Sequence, residues 1–492
     1  MVARALFAGL LAAALAPPAP AASAASSVIL SIDRSSTLEP ELRHLCDSIG
    51  PRLSGTPNLK AAADWAADRF REIGVDKVKI EQFELPHSWH EGATRVEVLA
   101  PTPFEVQAAA TAWGPATPAG GIEAEVLDAG GGSSGRITRM GEKARGKILL
   151  VRLDEIRSFL DLGIEQRNAI FAIREAGEVG AAAVVFASTR PNRLLYRHIH
   201  TVAGELDPIP SAVLAREDAL RIGRFLDAGE TVRMRVDLPN EVGGPVKSQN
   251  VIAEIRGSEK PEEIVLLGAH LDSWDLGSGC LDNAVNAVLV IEAARAIQRS
   301  PERPKRTIRF ALFSGEEAGL FGSLAYVRKH RDELDRFSAV VVHDMGVGKI
   351  SGYAVNGRPE LEGPLREAMT ALGSRASTHT TEAFFGSDHF DFLLEGVPAL
   401  VAMQDTGEYA ATYHSAADTM DKVSIPDLRD RAQIAALTVL GIANLPEKLG
   451  SRLTREEVGY LLDDSGIEDQ MKFLHLWNQW ESGERGRAVE SK

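Results

Sequence analysis

Residues 263–300 read EIVLLGAHLDSWDLGSGCLDNAVNAVLVIEAARAIQRS. The run Ile264–Ala269 is apolar without alternation, the pattern of a strand covered on both faces. It stops at His270-Leu271-Asp272, crosses a Gly- and Ser-containing loop, and enters a helical pattern at Asn283. The same alternation extends on both sides. NVIAEIRG (250–257), TIRFALFS (307–314), SAVVVHDM (338–345) and PALVAMQ (398–404) read as buried strands. GLFGSLAYVRKH (319–330), PLREAMTALG (364–373), HFDFLLEG (389–396) and RDRAQIAALTVLGIAN (429–444) read as helices. This order predicts an α/β domain over residues 243–450, a mixed, mostly parallel sheet sandwiched by helices.

Four further blocks surround it. Residues 1–25 place Arg4 before a short apolar run, then Pro17, Pro18 and Pro20 and small residues, the layout of a secretory signal peptide. The run is too short to span a bilayer and no later one is long enough, so no membrane span is expected. Residues 27–118 hold a helix-like stretch (37–50), the loop PRLSGTP (51–57), an amphipathic helix closed by Gly74 and a strand-like VDKVKIEQFEL (75–85). Residues 119–242 change texture: short strand-like runs (IEAEVLDA, GKILLVRL, AAAVVFAS, IPSAVLA) surround the helix 166–180, a small β-rich inserted domain. Residues 451–492 form a helical C-terminal extension.

Composition excludes several classes. The 492 residues carry a net charge of −15, which argues against a nucleic-acid partner. Two cysteines, Cys46 and Cys280, cannot build a disulfide-dense scaffold or a cysteine-type zinc module. Whether they pair stays open at this point. The match to G-x-S-x-G around Ser133 falls in a Gly-rich loop of the insert and not at a strand-to-helix turn of a main sheet, which disfavours a serine hydrolase.

In open α/β sheets ligands bind beyond the carboxyl ends of the strands. There the sequence places His270 and Asp272, Glu316 and Glu317, His343 and Asp344, and His414, with Asp282 at a helix start. Alone, Asp282 reads as an N-cap and a Glu-Glu pair as a partner of the helix dipole. Together they are the inventory of two divalent ions that take imidazole nitrogen and carboxylate oxygen, with one carboxylate shared and one left off the metal as a base.

The motifs GAHLDSWDLGSGCLDNA (268–284), LFSGEEAGLFGS (312–323), VVHDMG (341–346), FGSDHFDF (385–392), GVPAL (396–400) and YHSAADT (413–419) resemble, in order and spacing from Asn250 to about Asn444, the M28 family of zinc peptidases. The HLDSWD run and the HS..DT ending particularly resemble its plasma glutamate carboxypeptidase branch, which acts on dipeptides. The resemblance implies that residues 27–118 complete the catalytic domain and that 119–242 are a protease-associated insert. It implies two zinc ions per chain, one held by His270 and Asp344, the other by Glu317 and His414, with Asp282 bridging. Glu316 matches the general base and Asp272 the partner of His270. Tyr413 and Asp388 are candidates for substrate contact. Arg193, Tyr196, Arg197 and His198 form a basic loop that could meet a substrate carboxylate or simply be solvated. Asn283-Ala284-Val285-Asn286 departs from the usual Gly-rich run, and a free Cys280 thiolate would compete for metal. The expected activity is a secreted or periplasmic exopeptidase for dipeptides or short peptides, with a homodimer implied by resemblance alone. A single-zinc glutaminyl cyclase-like acyltransferase and a non-catalytic receptor-like protein on the same scaffold are the alternatives.

Overall fold

The computed structural model describes residues 23–407 and 409–488. The expected signal peptide, residues 1–25, lies outside the described residues except for its last three. Among the described residues no helix is long and apolar enough to cross a membrane.

A seven-stranded mixed sheet runs in the order Lys77–Leu85, Val246–Ile255, Arg306–Phe313, Lys260–His270, Phe337–Val342, Ala399–Gln404, Ile350–Ala354. The four strands from Arg306–Phe313 to Ala399–Gln404 are mutually parallel. The outer pairings are antiparallel. Because successive side chains alternate across a strand, Val265, Leu267 and Ala269 enter one apolar layer, whereas Ile264 and Leu266 enter the other. The first layer is covered by helices Ala24–Ser35, Pro57–Ile73, Val285–Gln298 and Ile425–Asn444. Phe310 sits in it, fully buried, 6.2 Å from the Phe70 ring.

Local signals explain the helix ends. Thr56 caps Pro57–Ile73 through the Leu59 amide, Pro57 occupies its first turn, and left-handed Gly74 ends it. Helix Ala24–Ser35, absent from the sequence reading, buries Val28 and Ile32 and is capped by Ser23. Helix Phe159–Val179 starts seven residues before the expected Gln166, at a capping box of Ser158 and Asp161. Its first turn leaves Leu160 77% exposed, so no core-facing period marks that start.

The other face of the first sheet carries helices Phe321–Lys329 and His389–Leu394, and the apolar cluster there extends to a second, eight-stranded sheet. Its order is Phe104–Val106, Arg95–Ala100, Arg233–Asp237, Ile122–Asp128, Ile148–Val151, Ala183–Ala187, Ser211–Leu214, Ala108–Ala110. Its strands thus come from both sides of residue 119. Val96, Val98, Met234 and Val236 share one apolar cluster with Leu266, Phe313 and Val340 of the main sheet. The tail folds as three short helices, Arg455–Asp464, Ile467–Phe473 and Trp477–Glu481, the first two separated by left-handed Gly466.

Phe310→Ala removes a fully buried ring from the middle of the sheet. It is expected to cost about 3–5 kcal/mol, read as a fall in the urea unfolding midpoint.

Candidate active site

Parallel strands deposit their carboxyl ends on one edge. His270 closes Lys260–His270 in register with Phe313. Glu316 and Glu317 lie just beyond that phenylalanine, and Asp344 lies two residues past Phe337–Val342. His414 is reached from Ala399–Gln404 through helix Tyr409–Thr412, and Asp282 stands in the turn Cys280–Ala284 before helix Val285–Gln298.

Five of these six side chains, all but Glu316, meet directly. His270 Nε2 lies 2.9 Å from Asp344 Oδ1 and 3.1 Å from Asp282 Oδ1. His414 Nε2 lies 3.1 Å from Glu317 Oε2 and 3.3 Å from Asp282 Oδ2. Asp282 therefore turns one oxygen to each imidazole. In each triad, His270–Asp282–Asp344 and Asp282–Glu317–His414, the ligand atoms lie within 4.8 Å of one another. Glu316 joins His270 and Glu317 in a third such group.

Burial sets the electrostatics. It opposes charge on His270, yet Asp344, Asp272 and Asp282 outweigh it and hold that pKa well above the ordinary value. His414 is raised to about 9, against burial, by Glu317 and Asp282. Burial lifts Glu317 to about 7 and Glu316 well above the carboxylate range, where Asp344 and Glu317 add to it. Asp282 is lowered despite burial because both histidines face it. The Oε1 atom of Glu317 is buried with no hydrogen-bond partner. A buried set of carboxylates and imidazoles that converge nitrogen and oxygen atoms calls for a compensating cation, and the donor set fits zinc.

The supporting groups are mostly ones the sequence reading missed. His270 Nδ1 donates to the main-chain carbonyl of Asp272 at 3.0 Å, with the Asp272 carboxylate at 3.6 Å. This turns Nε2 toward the cluster. That carboxylate accepts from Ser54 Oγ at 2.8 Å and from the Glu316 amide at 3.4 Å. Arg52 is fully buried and donates to the carbonyls of Gly50, Leu271, Ser278 and Gly279. Asp418 accepts from the Leu281 amide (2.6 Å) and the Asp282 amide (3.1 Å). Asn283 donates to the His343 carbonyl and to Asp344 Oδ1 (3.1 and 3.3 Å), and Asn286 to the Met345 carbonyl (2.9 Å). The Asn-containing run thus ties the Asp282 turn to the Asp344 loop. Gly346 permits this approach, since a Cβ there would lie 1.9 Å from the Leu281 carbonyl oxygen. Cys280 is bonded to Cys46 and holds no thiolate.

The remaining candidates divide. The Tyr413 ring stacks on His414 with centroids 3.6 Å apart. Asp388 is fully buried, makes no capping bond, and leaves both carboxylate oxygens without partners. Burial raises its pKa well above the usual range, with Asp272 and Asp344 adding to the shift. Arg193 turns away to Asp218 (2.7 Å). Arg197 is buried between Glu91 (2.5 Å) and Asp275 (2.7 Å), so it is neither solvated nor open to a ligand. Tyr196 is buried under the Arg190 guanidinium, 4.0 Å from its ring centroid. His198 lies behind His414. Ser133 is exposed between glycines in the loop that follows strand Ile122–Asp128, outside the strands themselves.

The profile of Peptidase family M28 matches residues 250–439, the span that contains all five clustered residues. Mouse (Mus musculus) carboxypeptidase Q is 30% identical over 407 residues, 82% of this chain and 85% of the relative. The chain belongs to peptidase family M28. It is a metallopeptidase of that family. An M28 peptidase precursor from Shewanella amazonensis superposes with a TM-score of 0.80 at 28% identity, over 87% of this chain and 98% of that one. A zinc aminopeptidase from Bacillus subtilis shares the fold with a TM-score of 0.65 at 22% identity, over 82% and 93% of the two chains.

Asp418→Asn keeps the shape but leaves one acceptor oxygen for two amides. A buried amide without its acceptor costs about 1–3 kcal/mol. The variant is expected to unfold at lower urea and to bind zinc more weakly, checked by denaturation and by zinc titration of the apoprotein.

Proposed function

We propose that the protein is an exopeptidase for dipeptides or short peptides that works with two zinc ions. His270 and Asp344 would hold one ion, Glu317 and His414 the other, and Asp282 would bridge them. The observation that carries this reading is the split of the Asp282 carboxylate, 3.1 Å from one imidazole and 3.3 Å from the other. Zinc, when bound, supplies Lewis acidity that brings a water near neutral pKa and polarises a carbonyl.

The chain's own residues do the rest. A carboxylate oxygen of Glu316 takes the proton of the attacking water and passes it to the leaving amine nitrogen. Burial beside Asp344 and Glu317 raises its proton affinity, which suits a group that must hold a proton between two steps. Asp272 anchors the Glu316 amide and the His270 ring together. The Tyr413 hydroxyl is assigned to the oxyanion, as an added donor where charge develops. Asp388, buried with both carboxylate oxygens unpartnered, is assigned a contact with the substrate or with the groups behind it.

The carboxypeptidase Q relatives are named for release of a C-terminal residue. We extend the exopeptidase class to this chain, with the second sheet as a protease-associated wall that limits substrate length. The leader-like pattern of residues 1–25 supports a secreted or periplasmic enzyme, after removal of that segment. The presence of every ligand type and of a spare carboxylate disfavours both a single-zinc acyltransferase and a receptor-like protein.

Glu316→Gln is expected to lower kcat about 10²–10⁴-fold while zinc content stays near that of the wild type. Normal turnover in that variant would overturn the assignment of the base. A panel of free dipeptides, N-blocked dipeptides and aminoacyl chromogenic amides, with and without chelator, should show chelator-sensitive cleavage of the free dipeptides. Resistance to chelator would overturn the metal reading.

A further inference from the structure

A segment following strand Ala183–Ala187 of the second sheet grips the loop that carries His414. The Arg197 amide donates to the His414 carbonyl (3.0 Å) and the Ala416 amide to the Leu195 carbonyl (3.1 Å). Tyr196 and Ser415 pair as an antiparallel bridge. The Arg190 guanidinium adds a bond to the Tyr413 carbonyl at 3.1 Å. His414 itself has φ 54°, in the left-handed region, which costs a non-glycine residue about 1–2 kcal/mol. Its conformation is therefore held from outside.

Within this grip the His198 ring packs on His414, Nδ1 to Nδ1 at 2.7 Å. His198 Nε2 lies 3.0 Å from Glu165 Oε1, a contact too bent for a full hydrogen bond. Glu165, on helix Phe159–Val179, is buried and fixed by Arg190 Nη1 (2.6 and 2.8 Å) and Thr189 Oγ1 (2.8 Å). A carboxylate can only accept. A His198 proton on Nε2, on the side of that carboxylate, leaves the Nδ1 lone pair to accept from the Nδ1–H of His414. With its Nδ1–H so engaged, His414 is left with Nε2 as the atom that faces Asp282 and Glu317 and would meet a cation held between them.

We propose that Glu165 and His198 are positioning residues that fix the tautomer and ring orientation of His414, so that zinc affinity at the Glu317–His414 position is set in part by the second sheet. The inference rests on the two-ion reading above. Outer partners of this kind change metal affinity about 10–100-fold.

The test titrates the full-length apoprotein with zinc against a chromogenic chelator. Wild type should take two ions. His198→Phe keeps the ring and removes the acceptor, and should weaken one of the two steps about 10–100-fold while sparing the other. His198→Asn, with an acceptor oxygen near the Nδ1 position, should recover part of the loss. A space-filling role would reverse that order, with phenylalanine tolerated and asparagine not. His198→Leu supplies a second lesion if the phenylalanine variant fails to fold by circular dichroism. Equal zinc affinity in wild type and the folded lesion variant overturns the inference and leaves the two-ion reading standing. Wild-type protein that takes up fewer than two ions overturns both.

Discussion

One carboxylate facing two imidazoles is the constraint on which the site depends. Asp282 can share its oxygens between His270 and His414 only if three separate pieces of backbone hold it in place. Those pieces are the turn Cys280–Ala284, the end of strand Lys260–His270 and the loop after Tyr409–Thr412. In water each of these groups would repel or ignore its neighbours. Buried together they bind protons or cations strongly, as the raised His270, His414 and Glu317 values show. The fold thus stores an electrostatic demand, and the parallel strands of the main sheet bring it to one edge.

Main-chain hydrogen bonds meet that constraint more than side-chain ion pairs do. Arg52 gathers four carbonyls, that of Gly50 and three from either side of the Asp272 loop, and Asp418 gathers the amides of Leu281 and Asp282. A buried guanidinium has five donors in a rigid fork, so it can serve several carbonyls at once where lysine could not. Gly346 then lets the Asp344 loop approach the same turn closely. These contacts explain why residues far apart in the chain present their functional atoms with little freedom.

The strand ends were legible because each apolar run stops at a polar residue, and parallel packing gathers such stops. His270, Glu316, Glu317 and Asp344 follow from that rule, and Asp282 and His414 from the motif order. Arg52 and Asp418 were not, although both lie in quoted segments, because a side chain that serves main-chain carbonyls or amides leaves no periodic trace. His198 lies 216 residues from the ring it supports, in a loop whose charge suggested solvent or a ligand. Helix Ala24–Ser35 was hidden by its position directly after the Ala-rich leader. Four strands of the second sheet were legible, Ile122–Asp128, Ile148–Val151, Ala183–Ala187 and Ser211–Leu214, whereas Arg95–Ala100, Phe104–Val106 and Ala108–Ala110, which precede the change in texture, and Arg233–Asp237 were not.

The bond between Cys46 and Cys280 closes a covalent ring across a sequence separation of 234. Every strand of the second sheet lies inside that ring. A protease that nicks any exposed turn of that sheet would therefore leave one molecule, with both sides of the cut still tethered two residues from Asp282. Only reduction would let the pieces part.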